Sequence, residues 1–240
     1  MGLNVEQSEQ QVKIDYYSDV LCVWAYVAQV RLDELRHHFG EVIDINYHFM
    51  PVFGASQQRI AERMKEKGGF EFMNQHILKV CADFPHVEIN PTVWLKVRPS
   101  SSAQTHLFIK ALQLLSQRGV VGSNSSSDYF GRNAVEEFIW RARAAFFRDE
   151  ENIADWQVLY RLAEPLGFNH EQIAPLLNNG EAMAELCIDK ELCEQNKVEG
   201  SPTFILNEGR QKLYGNVGYK ILESNVHEVI HRPYNQASWC

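Results

Sequence analysis

A chain of 240 residues is longer than one average domain and short of two comfortable ones, so it admits one domain with a large insertion as readily as two in tandem. With 45% hydrophobic and 22% charged residues it has the balance of an ordinary globular protein. Its net charge of -8 argues against nucleic acid, whose phosphates want a basic face, and favours a small substrate or a protein thiol.

The opening stretch, residues 1–11, is polar and mildly acidic, with neither a basic segment nor an apolar run, so it reads as a frayed tail rather than a signal peptide. No later segment approaches the continuous apolar length that spans a membrane, and a cytoplasmic location is expected. Five cysteines, Cys22, Cys81, Cys187, Cys193 and Cys240, are odd in number and scattered. They read as reduced thiols rather than a disulfide framework.

In chain order, residues 12–17 are rich in β-branched and aromatic side chains and end in a Ser-Asp turn, which predicts a strand. Apolar residues at Val27, Val30, Leu32, Leu35 and Phe39 then predict a helix over 24–39 that stops at Gly40. A second strand is expected over 42–49, parallel to the first because a helix crosses between them. Helical patterns dominate from 57 to 196, clearest over 100–115, 129–147, 153–166 and 170–177, with Asp155 and Asn169 where caps belong. The serine-rich 122–127 reads as a helix connection. Near the end, 203–206 and 211–214 pair as a hairpin around Asn207-Glu208-Gly209-Arg210, and 217–230 closes with a helix. One mixed sheet is thus assembled from both chain ends. The implied division is a discontinuous sheet domain over 11–54 and 185–232, a helical insertion over 55–184, and tails at 1–10 and 233–240.

Cys22 follows the first strand and opens the first helix, where free amide N–H groups and the positive end of the helix dipole favour a thiolate. Cysteines in such settings have pKa values of about 3.5 to 7.5, so a Cys22 ionised at neutral pH is expected. Downstream, Gly200-Ser201-Pro202-Thr203-Phe204 sits where a turn would face it. A cis Ser201-Pro202 bond would turn the Ser201 backbone toward the thiol and let it pair with an extended substrate. Asp19 would raise the thiol pKa and fits a turn or cap better than tuning. Trp24 either roofs the site or packs under the helix. Ser100 and Ser101 either contact a ligand or cap the following helix. His48 ends the second strand, at the sheet edge where sites form, though such a histidine is more often structural. Cys187 and Cys193, six apart on one helix, are out of disulfide reach; Cys81 and Cys187 read as packing residues, and Cys240 as a terminal thiol with a remote claim to a resolving role.

The segments Ser18-Asp19-Val20-Leu21-Cys22-Val23-Trp24-Ala25-Tyr26 and Val198-Glu199-Gly200-Ser201-Pro202-Thr203-Phe204, with Val97-Arg98-Pro99-Ser100-Ser101 between, resemble the DsbA-like branch of the thioredoxin superfamily. The resemblance is to its members with a large helical insertion: FrnE-like oxidoreductases, 2-hydroxychromene-2-carboxylate isomerases and kappa-class glutathione transferases. It implies an α/β thioredoxin-like mixed sheet with an all-helical insertion, Cys22 as the catalytic thiol, and Ser201, Pro202, Trp24, Ser100, Ser101 and Asn216 as substrate- or glutathione-binding residues. The FrnE-like motif is C-P-W-C; here Val23 and Ala25 depart from it, and Ala25 removes the second thiol. In the isomerase and transferase groups a serine commonly stands where Cys22 stands. The resemblance therefore implies a single-cysteine thiol oxidoreductase acting on disulfides or mixed disulfides, with glutathione as resolving co-substrate and no covalently bound cofactor. A glutathione-dependent isomerase or transferase is the alternative, and a non-catalytic binding module a third reading. Neither a nucleic acid nor a membrane partner is implied, and monomer and homodimer both stay open.

Overall fold

The computed structural model describes residues 11–121, 129–234 and 236–238. Strand β1, Val12–Ser18, leads through a short turn into helix α1, Val23–Phe39, and β2, Ile43–Phe49, returns beside it. In β2 the side chains at 43, 45, 47 and 49 are buried and those between are half-buried, the period-two pattern of a strand with one face on the core. β1 and β2 are parallel, with Val12 opposite Ile43 and Ser18 opposite Phe49. Strand β3, Thr203–Leu206, runs antiparallel to β1, and β4, Gln211–Tyr214, antiparallel to β3. The order is β2-β1-β3-β4, so the two ends of the chain build one mixed sheet. Helix α8, Tyr219–His231, packs against α1 and β1.

Between β2 and β3 lie α2 (Gly69–Ala82), α3 (Ala103–Gln117), α4 (Ala134–Phe147), α5 (Trp156–Ala163), α6 (His170–Asn178) and α7 (Glu181–Gln195). Asn133 and Asn169 each close a capping box, and the Asp155 side chain accepts the Gln157 N–H. Several starts differ from the periodicity. The helical pattern expected from residue 57 onward opens as a π-type turn over Gln58–Glu62 and a single 3-10 turn over Lys65–Lys67, which stops where Gly68 and Gly69 both take positive φ, 110° and 60°. The helix expected from residue 129 starts only after the Asn133 cap. The expected connection at 122–127 lies outside the described residues. A division at residue 184 falls inside α7.

Two packing units hold the helices to the sheet. Tyr26 of α1 stacks between Trp140 and Phe147 of α4, ring centroids 5.3 and 4.8 Å away, and its hydroxyl donates to the Glu88 carbonyl at 2.8 Å. Truncating such a ring to alanine costs about 3 to 5 kcal/mol. On the other face, buried Asp189 of α7 meets Lys110 Nζ of α3 at 2.7 Å, His48 Nδ1 of β2 at 2.8 Å and the Phe49 N–H at 2.7 Å. His48 Nε2 lies 3.2 Å from Asp15. His48 is thus held between two carboxylates and serves the helix-to-sheet joint. Among the described residues, no helix is long and apolar enough to cross a membrane.

Candidate active site

Cys22 is the N-cap of α1, in extended backbone geometry, and its thiol donates to the Ser201 carbonyl at 3.3 Å. The Ser201–Pro202 peptide is cis. Ser201 acts through its side chain as well, since its Oγ accepts the Asp19 N–H at 2.9 Å. One residue beyond, the Pro202 carbonyl accepts the Gly215 N–H at 2.9 Å, which brings Asn216 to the same rim. Gly200 leaves room for Tyr214: a Cβ there would stand 2.7 Å from the Tyr214 hydroxyl.

The turn that presents Cys22 is built on Asp19. Its fully buried carboxylate accepts the Leu21 N–H at 2.8 Å on one oxygen, and the Phe53 N–H at 2.8 Å and the Ser102 hydroxyl at 2.7 Å on the other. Burial outweighs these bonds and pushes the Asp19 pKa up to about 6. His106 Nε2 accepts the Val20 N–H at 3.2 Å, which leaves the ring proton on Nδ1 with no acceptor among the described residues. Burial, with Arg143 and Lys110 nearby, pushes His106 down to about 3, so it is neutral across the physiological range. Arg143 is fully buried and donates to Gln29 at 3.0 Å and Ser18 at 3.0 Å.

The thiol departs from the expectation of a ready thiolate. Burial pushes Cys22 up from the ordinary cysteine value, and Asp19 adds to the shift, against the N–H groups of Ala25 and Trp24. Only 7% of Cys22 is exposed, and the loss of water outweighs the helix terminus. Ala25 is fully buried and, among the described residues, no second sulfur faces Cys22.

Trp24 is half-buried and meets Phe84 edge-on at 6.4 Å. Asn216 is exposed and its Oδ1 accepts from Arg31 at 2.7 Å. Ser100 and Ser101 are not the N-cap of α3. That position is Ser102, whose hydroxyl is committed to Asp19; the Ser100 carbonyl accepts the Ser56 N–H at 3.2 Å, and Ser101 Oγ accepts the Ala103 N–H at 3.0 Å. Cys81 is buried and pushed up to about 11 by burial. Cys187 is exposed rather than packed, because it lies on the solvent face of α7. Cys240 lies outside the described residues. Sequence reasoning missed Ser102, His106, Phe84 and Arg31. For Ser102 the signal was the serine run before an apolar period; for the others the sequence holds no local cue.

Residues 13–227 match the family model described as DSBA-like thioredoxin domain. The chain belongs to that family. Among solved structures it is similar to a candidate protein disulfide isomerase from Nitrosomonas europaea, with a TM-score of 0.72 at 13% identity, covering 93% of this chain and 99% of that one. It is also similar to the cytosolic disulfide reductase DsbM from Pseudomonas aeruginosa, with a TM-score of 0.60, 20% identity, and 90% and 98% covered. A 2-hydroxychromene-2-carboxylate isomerase gives a TM-score of 0.62, 15% identity, and 94% and 100% covered. At such identities the likeness carries the fold. No curated protein matches the chain.

Proposed function

We propose that this DsbA-like protein is a thiol–disulfide exchange enzyme with Cys22 as its one attacking thiol and an external thiol, glutathione, as the resolving partner. The observation that carries the reading is the Cys22 thiol held 3.3 Å from the Ser201 carbonyl, with buried Ala25 where a resolving thiol would stand. Cys22 gives up its proton and its sulfur attacks one sulfur of a disulfide. The S–S bond breaks, the departing thiolate takes up a proton, and a mixed disulfide forms on Cys22. With a methyl group at residue 25 the second exchange comes from outside: a glutathione thiolate attacks the mixed disulfide, a new disulfide leaves, and the Cys22 thiol returns. The Ser201 carbonyl, aimed at the same sulfur, is placed to pair with an extended substrate backbone. The similar DsbM has also been solved with GSH, which supports glutathione as the small thiol, and its cytosolic naming supports a cytoplasmic place for this chain.

The test is intact-mass analysis after mixing the protein with oxidised glutathione. The expected result is one glutathionyl adduct on the wild type, mapped to Cys22, removable by excess reduced glutathione and absent in Cys22→Ser. An unmodified Cys22 refutes the exchange chemistry. A Cys22→Ser variant that still accelerates a glutathione-dependent isomerisation favours the isomerase reading instead.

A further inference from the structure

Arg31 lies on α1 seven residues after Trp24, two helical turns along the same stripe and about 10 Å further from Cys22. Long helical side chains lean back toward the helix N-terminus, which is the end that carries Cys22. Arg31 packs its guanidinium over Phe84 at 5.6 Å, the ring that meets Trp24 edge-on. From the other side it donates to Asn216 Oδ1 at 2.7 Å, in the loop that begins at Gly215, itself bonded to the Pro202 carbonyl. Cys22, Ser201-Pro202, Gly215-Asn216, Arg31, Phe84 and Trp24 therefore run round a closed circuit of contacts. Arg31 stands at its far end from the sulfur.

Arg31 shares its lack of a counter-charge with fully buried Arg143 and half-buried Arg59, but of these three only Arg31 stands in the circuit around Cys22. Arg36 and Arg132, also partly or largely removed from solvent, are each held by a carboxylate, Glu136 for the first and Asp33 with Glu137 for the second. Half-buried Arg31 has no carboxylate within ion-pair distance among the described residues. Its neutral partners, an amide oxygen and a ring face, leave guanidinium N–H donors unspent. Burial pulls its pKa down from the ordinary guanidinium value, the signature of a cation desolvated without a counter-charge. A chain of net charge -8 has ample carboxylates to neutralise it, and none of the described residues places one there.

We propose that Arg31, steadied by Asn216 and Phe84 and standing about 13 Å of helix rise beyond Cys22, docks a carboxylate carried by the thiol or disulfide substrate at the end of the rim away from its reacting sulfur. This rests on the exchange reading and narrows its substrate class to acidic low-molecular-weight thiols or acidic peptides, against neutral and cationic disulfides. Arg31 is a docking residue and takes no part in bond making. A guanidinium suits the task because it offers two parallel donors to a carboxylate.

Two measurements separate this inference from the chemistry. The first is calorimetric binding of S-methylglutathione, which cannot exchange, against its diethyl ester. The wild type is expected to bind the acid roughly ten-fold tighter than the ester, in line with a partly exposed charged hydrogen bond. Arg31→Gln should lose that preference and Arg31→Lys restore part of it. The second is the rate of Cys22 adduct formation with oxidised glutathione, 2-hydroxyethyl disulfide and cystamine. The acidic disulfide is expected to react fastest in the wild type, and the order to flatten in Arg31→Gln. Equal binding of acid and ester by the wild type, or an unchanged preference in folded Arg31→Gln, overturns the docking site. Carboxylate-dependent binding with no adduct at Cys22 upholds the docking site and refutes the exchange chemistry.

Discussion

The Asp19 carboxylate offers the most direct check on how the site is built, through the pH dependence of stability in the wild type and in Asp19→Asn. Its pKa is about 6 in the folded protein against 3.8 for the free group. Between those values the folded state holds a proton that the unfolded chain has lost, so stability falls as pH rises through the interval. The full effect is about 3 kcal/mol at 1.36 kcal/mol per unit, of which about 2 kcal/mol falls between pH 4 and pH 7. Because the group is fully buried, solvent screening discounts this little. Asp19→Asn cannot titrate. It also offers one acceptor oxygen where Leu21, Phe53 and Ser102 present three donors, so it carries a constant penalty of about 1 to 3 kcal/mol for the donor left unpaired. Urea unfolding at half-unit steps from pH 4 to 7 measures both parts. The wild-type advantage over Asp19→Asn should be largest at pH 4 and shrink by about 2 kcal/mol by pH 7. A difference that stays flat with pH, or grows, refutes the raised carboxylate.

Alkylation of Cys22 should keep accelerating as pH rises past the free-cysteine value of about 8.5, and Asp19→Asn should move the midpoint down, as mass-resolved iodoacetamide kinetics will show. Ser201→Ala leaves the carbonyl that faces the thiol but deprives the Asp19 N–H of its acceptor, so it should cost about 1 kcal/mol in urea unfolding and still form the glutathionyl adduct. Ala25→Cys should create a reducible pair with Cys22 under an oxidising buffer; a folded variant whose two thiols stay free refutes the placement of residue 25. Burial works against charge on His48, but its bonds to Asp15 and Asp189 prevail and hold its pKa above 6.5. The stability this contributes is complete below 6.5 and is lost as pH rises through the higher folded value. An NMR titration of His48 should place its midpoint above 6.5, and Asp189→Asn should lower it.

What the sequence made legible is what depends on neighbours in the chain. Strict alternation in residues 43–49, the apolar period after Trp24, and polar caps at Asp155 and Asn169 all survive in the structure because one strand, one stripe or one turn decides each of them. The place of Cys22 at a helix start was legible for the same reason, being a local turn, whereas the arrival of Ser201 before it, 179 positions along the chain, was implied by the resemblance. The protonation of Cys22 was not. It depends on how much water is excluded, and that is set by segments meeting around the Asp19 turn from residues 53, 102, 106 and 201. Arg31 likewise reads as an ordinary polar face of α1 until Phe84 and Asn216, 53 and 185 positions away along the chain, are seen on either side of it.

The raised thiol and the missing second cysteine act in the same direction. In an exchange reaction a sulfur of high pKa attacks well once ionised and leaves poorly, so a mixed disulfide on Cys22 is formed from a small thiolate fraction and then held. A cysteine at residue 25 would release that adduct within the site. The buried Ala25 methyl group cannot, and release depends on an incoming thiol reaching the same rim. Selection therefore passes from the sulfur to the surface around it. A protein with two thiols can discharge many substrates by its own second step, whereas under the proposed exchange cycle this one would turn over only with ligands that dock beside Cys22 in both halves of the cycle. The Ser201 carbonyl is suited to an extended backbone, and an uncompensated Arg31 to an acidic group. On the proposed docking role, together they would restrict both the incoming disulfide and the resolving thiol to molecules that carry a carboxylate, a requirement that glutathione would satisfy in both roles.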